Sequence, residues 1–314
     1  MSSFSSQPPS PSVLHVQHMI VNPKVKLLGI GAALLTVLIW SSYFLSLRFG
    51  AHSALTTYEI ALFRFAIPGL ILAPLFFRNL NKIAQVPKLY LVGLLVGGGL
   101  PFFLLGAWGM QTGQVAEGST LIPGVAPLFV TGLAVLVFKQ PLSKWRLLGL
   151  LLIASGVFAF VANSVLGDGN LKAQMVFLLA SLFWALFAIS LRQCGLKPLI
   201  AASVVTLPTA LVLICYGLTM QPALGWSDVS TTELVAQMLT QGIAAGLASS
   251  FLFAFAISKL GAEMTSAIGS LTPVAASAIA LVWLGELLSS SVLLGITLIS
   301  FGVLFASGLV TTKR

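Results

Sequence analysis

After its opening stretch the chain is written in long apolar runs with short polar punctuation between them. An α-helix rising about 1.5 Å per residue needs about 20 apolar residues to cross a hydrocarbon core. Runs of that length recur ten times. They predict helices over 27–48, 55–77, 89–110, 115–138, 145–163, 172–191, 198–219, 233–257, 262–284 and 290–310. The breaks are turn-sized: "QTGQ" parts the third run from the fourth, and "KLGA" the eighth from the ninth. The pattern predicts an all-α polytopic membrane protein of ten transmembrane helices, with links too short for an extramembrane domain. Residues 1–23, "MSSFSSQPPSPSVLHVQHMIVNP", break the pattern. Rich in Ser and Pro and without a basic-then-apolar leader, they read as a disordered cytoplasmic tail.

Composition sharpens this picture. Hydrophobic residues make up 58% of the chain and charged residues 7%, against about 25% charged in soluble domains. Seven acids and sixteen bases cannot wet the surface of a soluble protein of 314 residues. The formal charge of +9 would suggest nucleic acid in a soluble chain. Here the bases sit in loops between apolar spans, so the expected partner is the lipid bilayer, with no nucleic acid. One side of the membrane collects Lys24, Lys26, Arg78, Lys82, Lys88, Lys139, Lys144, Arg146, Arg192, Lys197, Lys259, Lys313 and Arg314. The other has Arg48 and Lys172, with Asp168, Asp228 and Glu286. Basic loops stay in the cytoplasm, which predicts cytoplasmic termini and an even number of spans.

The chain also repeats itself. "AEGSTLIPGVAP" (116–127) returns as "AEMTSAIGSLTP" (262–273), and a shift of 146 carries all of 116–157 onto 262–303 without a gap. Glu117 and Glu263, Pro127 and Pro273, Gly149 and Gly295, and Gly156 and Gly302 coincide. At a shift of 144, "WSSYFLSLR" (40–48) faces "WALFAISLR" (184–192). One duplication with one small insertion explains both, giving repeats over 24–164 and 165–311. Each repeat holds five spans, and five is odd, so the second copy must run through the membrane upside down. Inverted repeats of this kind are common in secondary transporters, where two halves that exchange conformations open the site to either side.

The two five-helix units, the Trp near the start of each, the Pro-containing fourth helices and the tail "WLGELLSSSVLLGITLISFGVLF" resemble the drug/metabolite transporter superfamily. The closest likeness is to its ten-helix EamA-type permeases, over nearly all of 27–310. The resemblance implies a carrier of small metabolites in a bacterial plasma membrane, often an exporter of amino acids, related compounds or drug-like molecules. One departure stands out. Such permeases often end both fourth helices in Gly-Glu; here Gly285-Glu286 is present, but its counterpart is Lys139-Gln140. A role for that Glu in the first repeat does not carry over.

Candidate site residues follow from the chemistry the bilayer penalises. A proline lacks an N–H and clashes with the carbonyl four residues earlier, so Pro127 should free the carbonyl of Pro123, and Pro273 that of Gly269. Freed carbonyls are tolerated where they line a cavity or find a partner; the alternative is a simple kink. Trp40 and Trp184 lie well inside their spans and, with Tyr43 and Trp108, are expected either to face a shared cavity or to pack helices. The charges form a third group. Glu117 opens a span at one mouth and Glu263 at the other, while the repeat puts Arg48 at the first mouth and Arg192 at the second. Each mouth thus owns an acid and an arginine, either alternating gates or static pairs, with Glu59 and Arg64 added at the outer one. Arg64 lies deep enough to need a partner: Glu59, an anionic substrate group, or a structural contact. Proton coupling would have to use Glu59, Glu117 or Glu263.

No GxxxxGK[ST] loop, HExxH or cysteine cluster occurs, and His15, His18 and His52 fall in the tail or a loop. No cofactor, metal or enzymatic activity is therefore expected, and Cys194 and Cys215 read as packing residues. Two rivals to a carrier stay open. One is a flippase for an amphipathic lipid-like substrate, and the other is a channel, although a channel calls for a continuous polar lining. The expected partners are a small-molecule substrate and lipid, with the chain a monomer or homodimer.

Overall fold

A computed structural model describes residues 23–139, 142–166 and 170–307. Every regular element among them is helical. The first repeat contributes α1 (Pro23–Gly50), α2 (Thr57–Arg78), the short α3 (Leu80–Ala84), α4 (Lys88–Gly98), α5 (Leu100–Thr112), α6 (Val115–Phe138) and α7 (Lys144–Leu166). The second contributes α8 (Leu171–Gln193), α9 (Pro198–Met220), α10 (Thr231–Gln237), a π-helical stretch (Met238–Ala248), α11 (Ser249–Leu260), α12 (Ala262–Gly269), α13 (Thr272–Leu284) and α14 (Ser290–Ala306). Eight helical segments are long and apolar enough to cross a membrane. With α6 and the shorter α14, the described residues make ten passes, as the apolar runs predict. The outer surface is itself apolar: Leu89, Phe158, Leu218 and Val282 are each more than 70% exposed, a surface suited to lipid and not to water.

Three passes are not the single helices that apolar run length suggests. The third breaks at Gly99 between α4 and α5, where Pro101 removes a donor from the first turn of α5. The eighth widens into the π-helical stretch around Gly242 and Gly246. The ninth breaks at Ser270 and Leu271, just ahead of Pro273. Apolar run length is blind to such breaks, because it does not register where within a run the backbone ladder is interrupted.

Packing shows the two-fold relation directly. α7 lies along α14 and α2 along α9; α1 packs on α11 and α13 as α8 packs on α4 and α6, and α6 meets α13. Each contact recurs with the repeats exchanged. The crossing of α7 and α14 makes the axis visible at atomic scale. A Cβ on Gly149 would lie 2.6 Å from the carbonyl oxygen of Gly302, and one on Gly302 would lie 2.7 Å from that of Gly149. Gly156 and Gly295 stand in the same mutual relation, at 3.0 and 3.2 Å. The repeat carries Gly149 to Gly295 and Gly156 to Gly302, so these pairs are one contact related by a two-fold axis, with the helices antiparallel. Small residues let the backbones approach this closely, which is how helices associate in lipid.

Candidate functional site

The middle of the molecule is aromatic. Trp40 of α1 and Trp184 of α8, equivalent in the repeat, meet edge to face with ring centroids 6.4 Å apart. Phe253 packs on Trp40 at 5.1 Å, while Phe102 and Phe187 pack on Trp184 at 5.4 and 5.2 Å. Tyr43, one turn along α1, is buried. Trp108 does not join them: it is 47% exposed, lies under the Lys172 ammonium at 5.3 Å, and lines a surface groove of about 490 Å³ with Pro101, Leu104 and Leu179. The shared aromatic surface is therefore that of Trp40 and Trp184, with Tyr43 beside it. Trp108 faces outward because of the rotation of α5 about its own axis.

The prolines separate as well. Pro123 and Pro127 lie inside an unbroken α6, half-buried, whereas the buried Pro273 stands at the break between α12 and α13. The carbonyl that Pro273 deprives of its helical donor, that of Gly269, accepts from Thr272 Oγ1 at 2.8 Å. The Thr272 carbonyl in turn accepts from Ser41 Oγ of α1 at 3.3 Å. A Cβ on Gly269 would lie 3.9 Å from the Trp40 ring. So the ninth-span break and the aromatic centre adjoin.

One end of the bundle is tied by charge. Arg48 Nε donates to Glu286 Oε1 at 3.0 Å, and Arg48 Nη1 donates to the Met110 carbonyl at 2.8 Å. Glu286 Oε2 accepts from the Val115 N–H at 2.9 Å. Four elements converge there: α1, the end of α5, the start of α6, and the turn after α13. Gly285, in left-handed backbone (φ 67°), caps α13 and turns the chain just before Glu286. The expected pairing of Arg48 with Glu117 is not formed. Glu117 is buried, and its oxygens accept from the Gln174 amide at 2.7 Å and the Gln114 N–H at 3.0 Å. At the opposite end Arg192 is exposed in the last turn of α8, and Glu263 opens α12 with its side chain outside the described residues.

Glu59 and Arg64 do not meet either. Five residues apart on one helix, they point to different faces, since only residues three or four apart are neighbours. Glu59 closes a capping box with Thr56 and accepts from the N–H groups of Gly225 and Trp226 at 2.9–3.0 Å. It thus pins the start of α2 to the loop before α10. Arg64 lies over the Tyr43 ring at 5.1 Å and donates to the Gln241 carbonyl at 3.4 Å.

The residues that periodicity alone misses are amides and one acid. Gln237 and Gln241, one turn apart on the eighth pass, are buried and bond to Ser46 of α1. Gln174 sits fully buried in α8. Glu233 accepts from Ser53, and both line a cleft of about 340 Å³ with Arg48, His52 and Glu286. An amide within an apolar run, lone at Gln174 and paired one turn apart at Gln237 and Gln241, was the available signal for the three glutamines.

Comparison with known proteins agrees with this geometry. No curated protein matches the chain. A solved structure described only as the crystal structure of a protein is 18% identical and covers 92% of this chain and 98% of its own, with a TM-score of 0.59; that likeness is one of fold. A family model, the EamA-like transporter family, matches twice, over residues 27–162 and 171–308. The duplication read from Glu117 and Glu263 is thus a duplication of a known module, and the chain belongs to the EamA-like transporter family.

Proposed function

We propose that the protein is a secondary carrier that exports a small metabolite or drug-like compound across the plasma membrane of a bacterium by alternating access. Family membership supplies the coarse activity, that of a membrane transporter. The finer reading rests on one observation: positions that the repeat makes equivalent stand in unlike surroundings. Arg48 is tied to Glu286 and Met110, while Arg192, its counterpart, is exposed. Two halves of like sequence with unlike ends are what a carrier facing one way requires, one mouth shut and the other free. The meeting of Trp40 and Trp184 between the mouths offers flat apolar surface to a substrate. The excess of Lys and Arg in the loops at the Arg192 end supports a cytoplasmic position for that end and for both termini. One chain supplies both halves, so monomer and homodimer are equally compatible with the scheme.

The test is efflux from cells expressing the protein, across a panel of amino acids, related metabolites and drug-like compounds, at two external pH values. Expected is accelerated efflux of a narrow set of compounds, lost when Trp40→Leu and Trp184→Leu are combined. Efflux no faster than from cells with empty vector, or flux indifferent to both tryptophans, overturns the reading. Lipid reorientation in vesicles would replace it with a flippase.

A further inference from the structure

Resting on the transport reading above, we infer that Arg64 recognises the cargo, and that the cargo is an organic anion carrying a carboxylate on an apolar body. Arg64 lies seven residues into α2, about 10 Å below the start of that helix. A cation at such depth ordinarily pairs with an anion or lines a substrate path. Its guanidinium carries five N–H donors. One of them reaches the Gln241 carbonyl at a long 3.4 Å, and the guanidinium carbon lies 5.1 Å from the centre of the Tyr43 ring. Among the described residues the ion pair formed is that of Arg48 with Glu286, and none of their carboxylates lies within ion-pairing distance of Arg64. Glu59, the nearest acid in sequence, has its oxygens turned to Thr56, Gly225 and Trp226.

A second observation lies next to it. Gln241 is fully buried, and its Oε1 has no donor. The same residue's carbonyl holds Arg64 and its amide N–H holds Ser46. Arg64 has donors to spare and Gln241 Oε1 has none to accept from, so one molecule with an anionic and a donor group would serve both. A buried acceptor left unmade costs free energy that a ligand's hydroxyl or N–H recovers. A purely structural Arg64, linking α1, α2 and the π-helical stretch, accounts neither for its spare donors nor for the unmet Gln241 oxygen.

The third element fixes the body of the cargo. Tyr43, under Arg64, is three residues from Trp40, which puts the two rings on one face of α1 about 4.5 Å apart along its axis. Trp40 leads directly to Trp184 and Phe253. A carboxylate on Arg64 therefore leaves its apolar portion against the aromatic centre. A carboxylate suits one planar guanidinium, which binds it through two parallel N–H bonds. A phosphate dianion would bring a larger desolvation cost to a site with one cation.

The experiment uses purified full-length protein in lipid nanodiscs, with thermal unfolding and tryptophan fluorescence read against 2-naphthoate and indole-3-acetate. Their neutral amides and the matching arylalkylamines serve as controls. Expected is saturable stabilisation and fluorescence change by the carboxylates, with amides and amines weaker by roughly tenfold or more. Arg64→Gln removes that preference and Arg64→Lys keeps part of it. Equal binding of the amides to the unaltered protein, no binding by either carboxylate, or a preference that survives Arg64→Gln each overturns the inference. The amide comparison needs no variant, so it stands even if Arg64→Gln fails to fold. Efflux of neutral or cationic compounds that also bind here would leave the carrier reading intact and remove the anion. Carboxylate binding without efflux of any compound would do the reverse.

Discussion

Neutralising Glu286 tests the tie at the Arg48 end. The carboxylate accepts two hydrogen bonds, from Arg48 Nε at 3.0 Å and from the Val115 N–H at 2.9 Å. The side chains of Arg48 and Glu286 are 19% and 9% exposed, so neither bond is much diluted by solvent. A hydrogen bond to a charged group contributes about 1.5–3 kcal/mol. An opened mouth would rehydrate both charges, and a Gln at 286 still accepts one bond, so Glu286→Gln should disfavour the closed mouth by about 2 kcal/mol. At about 1.4 kcal/mol per factor of ten, the ratio of closed to open falls roughly 30-fold. The reporter is a single cysteine at Ala116, which is fully buried in the first turn of α6 beside Val115. The background has Cys194 and Cys215 replaced by Ala, and the reagent is a membrane-impermeant maleimide. The labelling rate should rise roughly 30-fold in Glu286→Gln, and the exchanged pair Arg48→Glu with Glu286→Arg should recover only part of the parent rate, since it restores the ion pair but leaves the Val115 N–H and the Met110 carbonyl without their partners. A rate in Glu286→Gln within about threefold of the parent, less than about 0.7 kcal/mol, would falsify the claim that this ion pair holds the mouth shut.

Other expectations concern the frame and the centre. Gly302→Ala places a Cβ 2.7 Å from the Gly149 oxygen and 2.9 Å from the Ile153 nitrogen; it should cost about 1–3 kcal/mol, and an unshifted thermal melt would contradict the crossing. Thr272→Val removes the hydroxyl that serves the Gly269 carbonyl and should cost about 1 kcal/mol, whereas Thr272→Ser should be neutral; equal melts for the two would deny the hydroxyl that task. Glu59→Gln weakens the bonds to Gly225 and Trp226, so amide exchange at those two positions should speed up by roughly tenfold. Unchanged exchange there would mean that the loop is held by something else.

The ten passes were legible because a membrane span is a local property: apolar run length fixes it, and packing cannot revoke it. The duplication was legible because Glu117 and Glu263, or Gly149 and Gly295, keep a constant offset. The inversion then follows from the parity of five. The family resemblance lay in the same residues, and the matches over 27–162 and 171–308 bear it out.

Pairing was not legible. Arg48 and Glu286 are 238 residues apart, and Glu117 and Gln174 are 57 apart; symmetry suggested Arg48 with Glu117, and the structure chose otherwise. Nor did the residues reveal that Trp108 faces out while Trp40 faces Trp184, or that Arg64 rests on Tyr43. The reason is physical. A helix apolar on every side carries no stripe to announce its inner face, so its rotation about its own axis is free until neighbouring helices fix it. Sequence determined how many passes there are and that successive passes alternate in direction, because water and lipid act on every segment separately. Tertiary structure decided which side chains meet, because in a uniformly apolar solvent only close packing and a few polar contacts distinguish one face from another.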